Sequence, residues 1–353
     1  MRPARNGGPV PGGGVLAESG GERDCRRGSL VRRRYNAGVR RRAFLEATAV
    51  SALAGSTLHA QAIPIIDAHI HLFDTRRPQG VPWPDKSNAV LYQPALPARY
   101  RGIAVPLGVR GAIEIEASPW LDDNQWVLDI AAKDPIIVGT VGDLEPGKPE
   151  FAHQLERFHR NPLFRGIRYG NLWGRDLSAE LPKPEFLAGL RLLAEAGLVL
   201  DTANPDPALI AAIVRLTDKV GNLRVVIDHL PSLNPPAEAP ARAAYQRDLR
   251  EFAHRPQVYV KISQVLRRVN GRIPEDVEFY RARLDELWDV FGEDRVLYGS
   301  DWPNSDQMAP YPVELAVVRA YFQRKGPAAA EKYFWRNSVA AYRWVRRDAS
   351  QPG

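Results

Sequence analysis

The stretch IIDAHIHLF, residues 65 to 73, sets Asp67, His69 and His71 at alternate positions inside an apolar run. Strand side chains repeat with a period of two, so this spacing predicts all three on one face, with Ile66, Ile70 and Leu72 turned toward covering helices. Titratable groups inside a buried strand are costly unless paired or put to use. Imidazoles and a carboxylate this close can hold a divalent ion, move a proton, or donate hydrogen bonds to a developing oxyanion. Two hydrogen-bonded core imidazoles are the plain alternative.

Further polar residues fall toward the ends of other apolar runs. They are Glu116 in GAIEIEA (111 to 117), Arg168 in FRGIRYG (164 to 170), Asp201 and Asn204 in LVLDTAN (198 to 204), and His229 in RVVIDHL (224 to 230). VYVKIS (258 to 263) adds Lys261 and Ser263, and VLYGSDW (296 to 302) adds Asp301. Taken singly, His229 beside Asp228 reads as a capped strand end, Asp301 as the start of a turn before Pro303, and Lys261 and Arg168 as wall ion pairs. His153, His159 and His254 sit in helical or polar context and read as surface residues.

With IPIIDAHIHLF (63 to 73) and IIVGTVGDL (136 to 144) these make eight runs. Their hydrophobicity is continuous rather than alternating, which predicts strands covered on both faces, as in a parallel sheet. Helical spacing separates them, as in PEFLAGLRLLAEAG, where Phe186, Leu190 and Leu193 share a side, and in PALIAAIVRLTDKVG, with Leu209, Ile213 and Leu216. NGRIPEDVEFYRARLDELWDVFG supplies the helix before the eighth run. Eight strand and helix units over residues 63 to 348 predict one α/β domain, a (β/α)8 TIM barrel. An open doubly wound sheet is the alternative, but no Gly-rich dinucleotide turn follows any run. A barrel brings every strand's C-terminal end to one mouth, where polar residues from seven of the eight runs would meet. The proline-rich insertion at 74 to 110 would arch over the first strand's end.

Charge sets further bounds. The 353-residue chain carries a formal net charge of +7, but eleven Lys and Arg and four Asp and Glu fall within residues 1 to 62. Since 48 less 11 and 41 less 4 both leave 37, the remainder is neutral, which argues against a nucleic-acid partner for the body. The single cysteine, Cys25, lies in the first segment, so the body has no disulfide or thiolate metal site. Residues 1 to 39, rich in Gly, Pro and Arg, read as disordered or as preceding the true translation start. Residues 40 to 62 order Arg41 and Arg42, a mildly apolar Ala-rich stretch and Ala60-Gln61-Ala62, which looks like a cleavable twin-arginine signal. That predicts export to a bacterial periplasm through the twin-arginine translocon, with no stable membrane anchor, because the apolar stretch is too short to span. A short N-terminal helix with chance arginines is the alternative.

The set DAHIH, IDHL and GSDWP resembles the amidohydrolase superfamily in residue type and order. RGIRYG, VVIDHLPSL, VYVKIS and VLYGSDWP resemble the branch that includes 2-pyrone-4,6-dicarboxylate lactonase and sugar-acid lactonases, so the likeness covers essentially all of 63 to 345. Two departures matter. Metal-dependent members and related decarboxylases place a His at the end of strand five, where this chain has Asp201 and Asn204; strand four offers no lysine for a carbamate bridge. The resemblance therefore implies a hydrolase that needs no cofactor or takes one divalent ion, zinc or manganese, on His69, His71 and Asp301.

The expected reaction is opening of a lactone by water, with a small-molecule substrate and an unspecified oligomeric state. Asp301 takes the proton, His69 and His71 polarise the carbonyl or hold the ion, and His229 serves the carbonyl or leaving group. Arg168 with Lys261 would anchor a substrate carboxylate, and Glu116 and Asp201 would complete the binding set. A decarboxylase on the same barrel and a non-catalytic exported binding protein are the rival readings. Loop residues Trp83, Trp120 and Trp173 suggest a partly apolar or sugar-stacking pocket.

Overall fold

The computed structural model describes residues 63–353. The extension expected at 1 to 39 and the signal expected at 40 to 62 lie outside the described residues. Each apolar run forms a strand: β1 (Ile65–Ile70), β2 (Val109–Ile115), β3 (Ile137–Gly142), β4 (Phe164–Arg168), β5 (Val199–Asp201), β6 (Arg224–Ile227), β7 (Val258–Ile262) and β8 (Val296–Tyr298). They pair in parallel in chain order as one eight-stranded sheet. The end of β1 and the segment after β8 meet through a parallel bridge between Ile70 and Trp302. There the His71 amide donates to Trp302 O and the Asp301 amide to His69 O, both at 2.8 Å. The sheet is a nearly closed TIM barrel.

The connecting helices bury the faces their spacing predicts. Pro184–Glu195 buries Phe186, Leu190 and Leu193; Pro207–Lys219 buries Leu209, Ile213 and Leu216. Asp206 caps the latter by accepting from the Leu209 amide, which satisfies one of the donors a helix start leaves open. The helix before β8 runs Val277–Phe291. The insertion after β1 contains a short helix, Pro97–Ala104.

Inside the barrel the fill changes with height. The lower bore holds Ile66, Ile113, Val138, Val199, Val226 and Leu297, packed against Trp335, Tyr342 and Trp344 of the C-terminal segment. Beyond residue 348 the chain stays packed: Gln351 is buried and its side-chain amide donates to the carbonyls of Arg110 and Pro135. Toward the upper mouth the inward positions become His69, Arg168, Asp201, Asp228 and Lys261, all buried.

One expectation fails on β1. Ile66 and Ala68 join the bore, and Asp67 between them points outward, where it accepts from the hydroxyls of Tyr100 (2.8 Å) and Tyr311 (3.0 Å) and from the Ser300 amide (2.8 Å). His69 and His71 nevertheless point inward, while Ile70 and Leu72 join the outer core. The register slips between Asp67 and Ile70, and such an irregularity breaks strict alternation. Asp67 is thus a buried brace between β1, the insertion helix and the segment after β8.

Candidate active site

The C-terminal ends of the strands frame a cavity of about 250 Å³. His71, Glu116, Arg168, His229 and Asp301 line it, together with Trp83, Trp173, Asn204, Gln264 and Asn304. Trp120 sits exposed elsewhere. His153, His159 and His254 are exposed, as expected.

Asp301 is the hub. Its Oδ1 lies 3.0 Å from His71 Nε2, 3.4 Å from His69 Nε2 and 3.6 Å from His229 Nε2. Its Oδ2 accepts from the side-chain amides of Gln264 and Asn304, the latter at 2.7 Å. Burial alone would raise this carboxyl, but His229, His71 and His69 hold it far below the usual carboxylate range. It is ionised at neutral pH and able to take a proton. Gln264 and Asn304 went unnoticed in the sequence; the available signal was only that each lies close behind a strand end.

Backbone strain concentrates here. Trp173, Asn204, His229, Gln264 and Asp301 all adopt left-handed φ values between 49° and 58°. They are five of the seven non-glycine residues with positive φ among the described residues, and all five line the cavity. Such conformations persist only where the surroundings over-determine them, and they gather at functional sites. Here each turn swings a side chain over the mouth directly after a strand.

His229 Nδ1 contacts Ser263 Oγ at 2.7 Å, which orients the ring so that Nε2 faces Asp301. Burial lowers His229 to about 4 despite the nearby Asp301 and Asp228, so it is a neutral imidazole at pH 7. Glu116 accepts from the Trp173 indole N–H at 2.9 Å and pairs with Arg175 at 3.3 Å. Burial pushes Glu116 up to about 7, against the opposing pull of Arg168 and Arg175. Arg168 donates from Nε to Asp228 Oδ2 at 3.0 Å, which fixes the guanidinium plane at the cavity wall.

Three expected site residues do not reach the cavity. Lys261, Asp201 and His69 are each fully buried in the layer beneath it. Lys261 Nζ lies 2.6 Å from Asp201 Oδ2, 2.9 Å from Asp228 Oδ1 and 3.1 Å from His69 Nδ1. Asp201 also accepts from Tyr342 Oη at 2.9 Å. The carboxylate-anchoring role expected of Lys261 and the substrate contact expected of Asp201 are corrected accordingly: their polar atoms are taken up by one another. Asp228 accepts from Arg168 through Oδ2 and forms an ion pair with Lys261 on its Oδ1 side at 2.9 Å.

His69 Nε2, His71 Nε2 and Asp301 Oδ1 form a compact donor set, with the two nitrogens 3.2 Å apart. Ligands about 2.1 Å from a tetrahedral ion stand about 3.4 Å from one another, so the spacing fits one divalent cation.

Comparison with known proteins places this arrangement. Residues 66–344 match the amidohydrolase family. The chain is 26% identical over 292 residues to L-fucono-1,5-lactonase of Burkholderia ambifaria, covering 81% of this chain and 98% of that protein. The fold resembles a zinc-bound amidohydrolase from Burkholderia multivorans (TM-score 0.70, 24% identity, 80% of this chain and 100% of that one). It also resembles a putative 2-pyrone-4,6-dicarboxylic acid hydrolase from Pseudomonas putida (TM-score 0.61, 22% identity, 79% and 97%). An eight-stranded barrel carrying two β1 imidazoles, a β6 imidazole and a β8 carboxylate at one mouth, matched along nearly the whole body, makes this chain a hydrolase that belongs to the amidohydrolase family.

Proposed function

We propose that this protein opens the ring ester of a sugar-acid lactone or pyrone carboxylate by adding water. The observation that carries the reading is Asp301, an ionised carboxylate with one oxygen pinned by two amides and the other among three imidazoles, at the floor of a ligand-sized cavity. Its relatives named L-fucono-1,5-lactonase support the same substrate class.

In this reading water lies between the lactone carbonyl carbon and Asp301. As the new C–O bond forms, Asp301 takes a proton from the water, and the carbonyl oxygen becomes an oxyanion facing His71 and His229. Collapse breaks the ring C–O bond, and the proton returns to the leaving oxygen, giving the open hydroxy acid. Arg168 offers a planar fork to a substrate carboxylate or hydroxyl, while the indoles of Trp83 and Trp173 give the ring apolar surface. When bound, a zinc or manganese ion on His69, His71 and Asp301 would supply Lewis-acid polarisation.

The test is a hydrolysis screen over sugar lactones and pyrone carboxylates, run on native and chelator-stripped protein with the metal content measured. Turnover of at least one lactone is expected; a panel with no turnover in either state, while ligands still raise Tm, points to a binding protein instead. We also infer export through the leader at residues 40 to 62, tested by whether replacing Arg41 and Arg42 with Lys abolishes transfer of a fused reporter across the inner membrane.

A further inference from the structure

The geometry points to Trp173 as the residue that limits the substrate to a single ring: its indole is the wall between the catalytic cavity and an outer polar cleft with room for a second sugar. Trp173 is on this account a specificity-determining residue. The inference rests on the lactone-opening reading and deepens it.

Size comes first. The catalytic cavity measures about 250 Å³, below the ~300–1,000 Å³ typical of sites for drug-sized ligands, so it holds one lactone ring with its hydroxyls and not two joined rings. A larger substrate must extend past one of its walls, and the spaces behind them differ. Behind Trp83 lies about 20 Å³, room for about one water. Behind Gln264 and Asn304 lies a cavity of about 230 Å³, but those two side chains hold Asp301 Oδ2 and cannot swing aside without releasing it. Behind Trp173 lies a cleft of about 410 Å³, which it lines together with Tyr169, Gly174 and Arg175.

The wall is anchored. Trp173 and Gly174 are both left-handed, with φ of 58° and 74°, so the chain doubles back and sets the indole against the cavity. The indole N–H donates to Glu116 Oε2 at 2.9 Å. The next residue, Arg175, is buried and donates to the carbonyls of Leu172 and Arg168, both at 3.2 Å, and to the carboxylates of Glu116 and Asp143. The loop is tied on both sides of the indole, so the wall does not yield with it.

The cleft also selects what would fill it. Glu145, Asp176 and Glu180 offer acceptors, and Lys148 and Lys183 offer donors. Lys183 pairs with Glu180 at 2.6 Å and Lys148 with Glu145 at 3.9 Å, so much of this charge is compensated. Mixed donors and acceptors without a net positive field suit the hydroxyls of a second sugar, rather than an acyl chain or a polyanion.

The test measures kcat/KM of the full-length protein for four lactones. Gluconolactone is the single ring, lactobionolactone and melibionolactone carry a galactosyl group at different positions of that ring, and δ-dodecalactone carries an alkyl chain. Wild type and Trp173→Phe, which keeps the wall, are expected to prefer the single ring. Trp173→Ala should shift the preference toward at least one galactosyl lactone by about tenfold or more, with no gain for the alkyl lactone. An unchanged preference in Trp173→Ala, or equal use of one-ring and two-ring lactones by wild type, overturns the inference; an equal gain for the alkyl lactone overturns the sugar assignment. If Trp173→Ala does not fold, Trp173→Gly serves, since glycine adopts the left-handed φ freely. The corresponding sugar lactams, which keep the ring and resist hydrolysis, give the same comparison by calorimetry. A shifted lactam preference with no lactone hydrolysed counts against the proposed function and leaves the size limit standing; no shift in either readout overturns the size limit.

Discussion

His71 Nε2 and Asp301 Oδ1 stand 3.0 Å apart although 230 positions separate them in the chain. The contact spans the seam where the barrel closes, and the backbone on either side is tied by the paired amides of His71 and Asp301. Closure of the sheet and assembly of the acid–base pair are one event, so a change that opens the seam should lose activity before it loses the fold. Five expectations follow from the surroundings of this pair.

Asp301→Asn should lower kcat by about a hundredfold or more, since it removes the base. Asn tolerates the left-handed φ of 58° at this position, so circular dichroism should be unchanged. Steady-state kinetics on whichever lactone the screen finds will check this; wild-type turnover in the variant would remove Asp301 from the chemistry.

Asn304→Ala and Gln264→Ala each delete one of the two amide donors on Asp301 Oδ2. A hydrogen bond to a charged group is worth about 1.5–3 kcal/mol, so kcat should fall by roughly tenfold or more with KM changed far less. The double variant should cost less than the product of the singles, because both act on one oxygen. Independent, multiplicative losses would show that the two amides do something other than hold that carboxylate.

Glu116 titrates at about 7 beside Arg168 and Arg175. Below that pH it is neutral; above it, a negative charge stands on the cavity wall near Arg168 and weakens the field that a substrate carboxylate would meet. For a lactone bearing a carboxylate, KM should therefore rise as pH goes from 6 to 8. Glu116→Gln should flatten the profile, and a KM profile identical to wild type in that variant would rule out Glu116 as its source.

Glu314 is buried, accepts from the Val265 amide at 3.1 Å, and is pushed by burial up to about 8 from an ordinary 4.5. The folded state holds this proton more tightly than the unfolded chain, so the associated stability is complete below about 4.5 and is lost as pH rises through about 8. Glu314→Gln keeps an acceptor for the amide without the buried charge. Thermal melts should agree near pH 5 and diverge at pH 9, where the variant melts several degrees higher. A constant offset at both pH values would place the titration elsewhere.

Gly299 faces the bore, and a Cβ there would lie 2.8 Å from His69 Cβ and 3.6 Å from Lys261 Cδ. Neither neighbour has room to retreat, since both are fully buried. Gly299→Ala should cost about 1–3 kcal/mol in stability and lower kcat by displacing His69. Denaturant melts together with kinetics will separate the two effects; a fully stable and active variant would mean that the layer beneath the cavity yields more than its packing implies.

All eight strands could be read from the chain, because a strand covered on both faces leaves an unbroken apolar run that needs no partner to be recognised. The same is true of the buried helix stripes, such as Phe186, Leu190 and Leu193. For the site, the residue types near the strand ends were legible and depth was not. Arg168 and Lys261 look alike in sequence, each polar and near the end of a run, yet one reaches the cavity wall and the other lies beneath with Asp201. Period-two reasoning placed Asp67 with the two histidines, and the register slip on β1 turned it outward to Tyr100 and Tyr311. Gln264 and Asn304 escaped notice because each lies past a strand end, Gln264 in a left-handed turn and Asn304 at the start of a short 3-10 helix, where position is set by what packs around it.

Side-chain alternation and apolar covering are local properties of the backbone, so composition and order alone determine that this chain makes a barrel with acids and imidazoles at its mouth. Height within the bore, the direction of each hydrogen bond and the identity of each ion-pair partner depend on how strands far apart in sequence are staggered when the sheet closes. Those relations arise between segments, and they exist only once the ring of strands has formed.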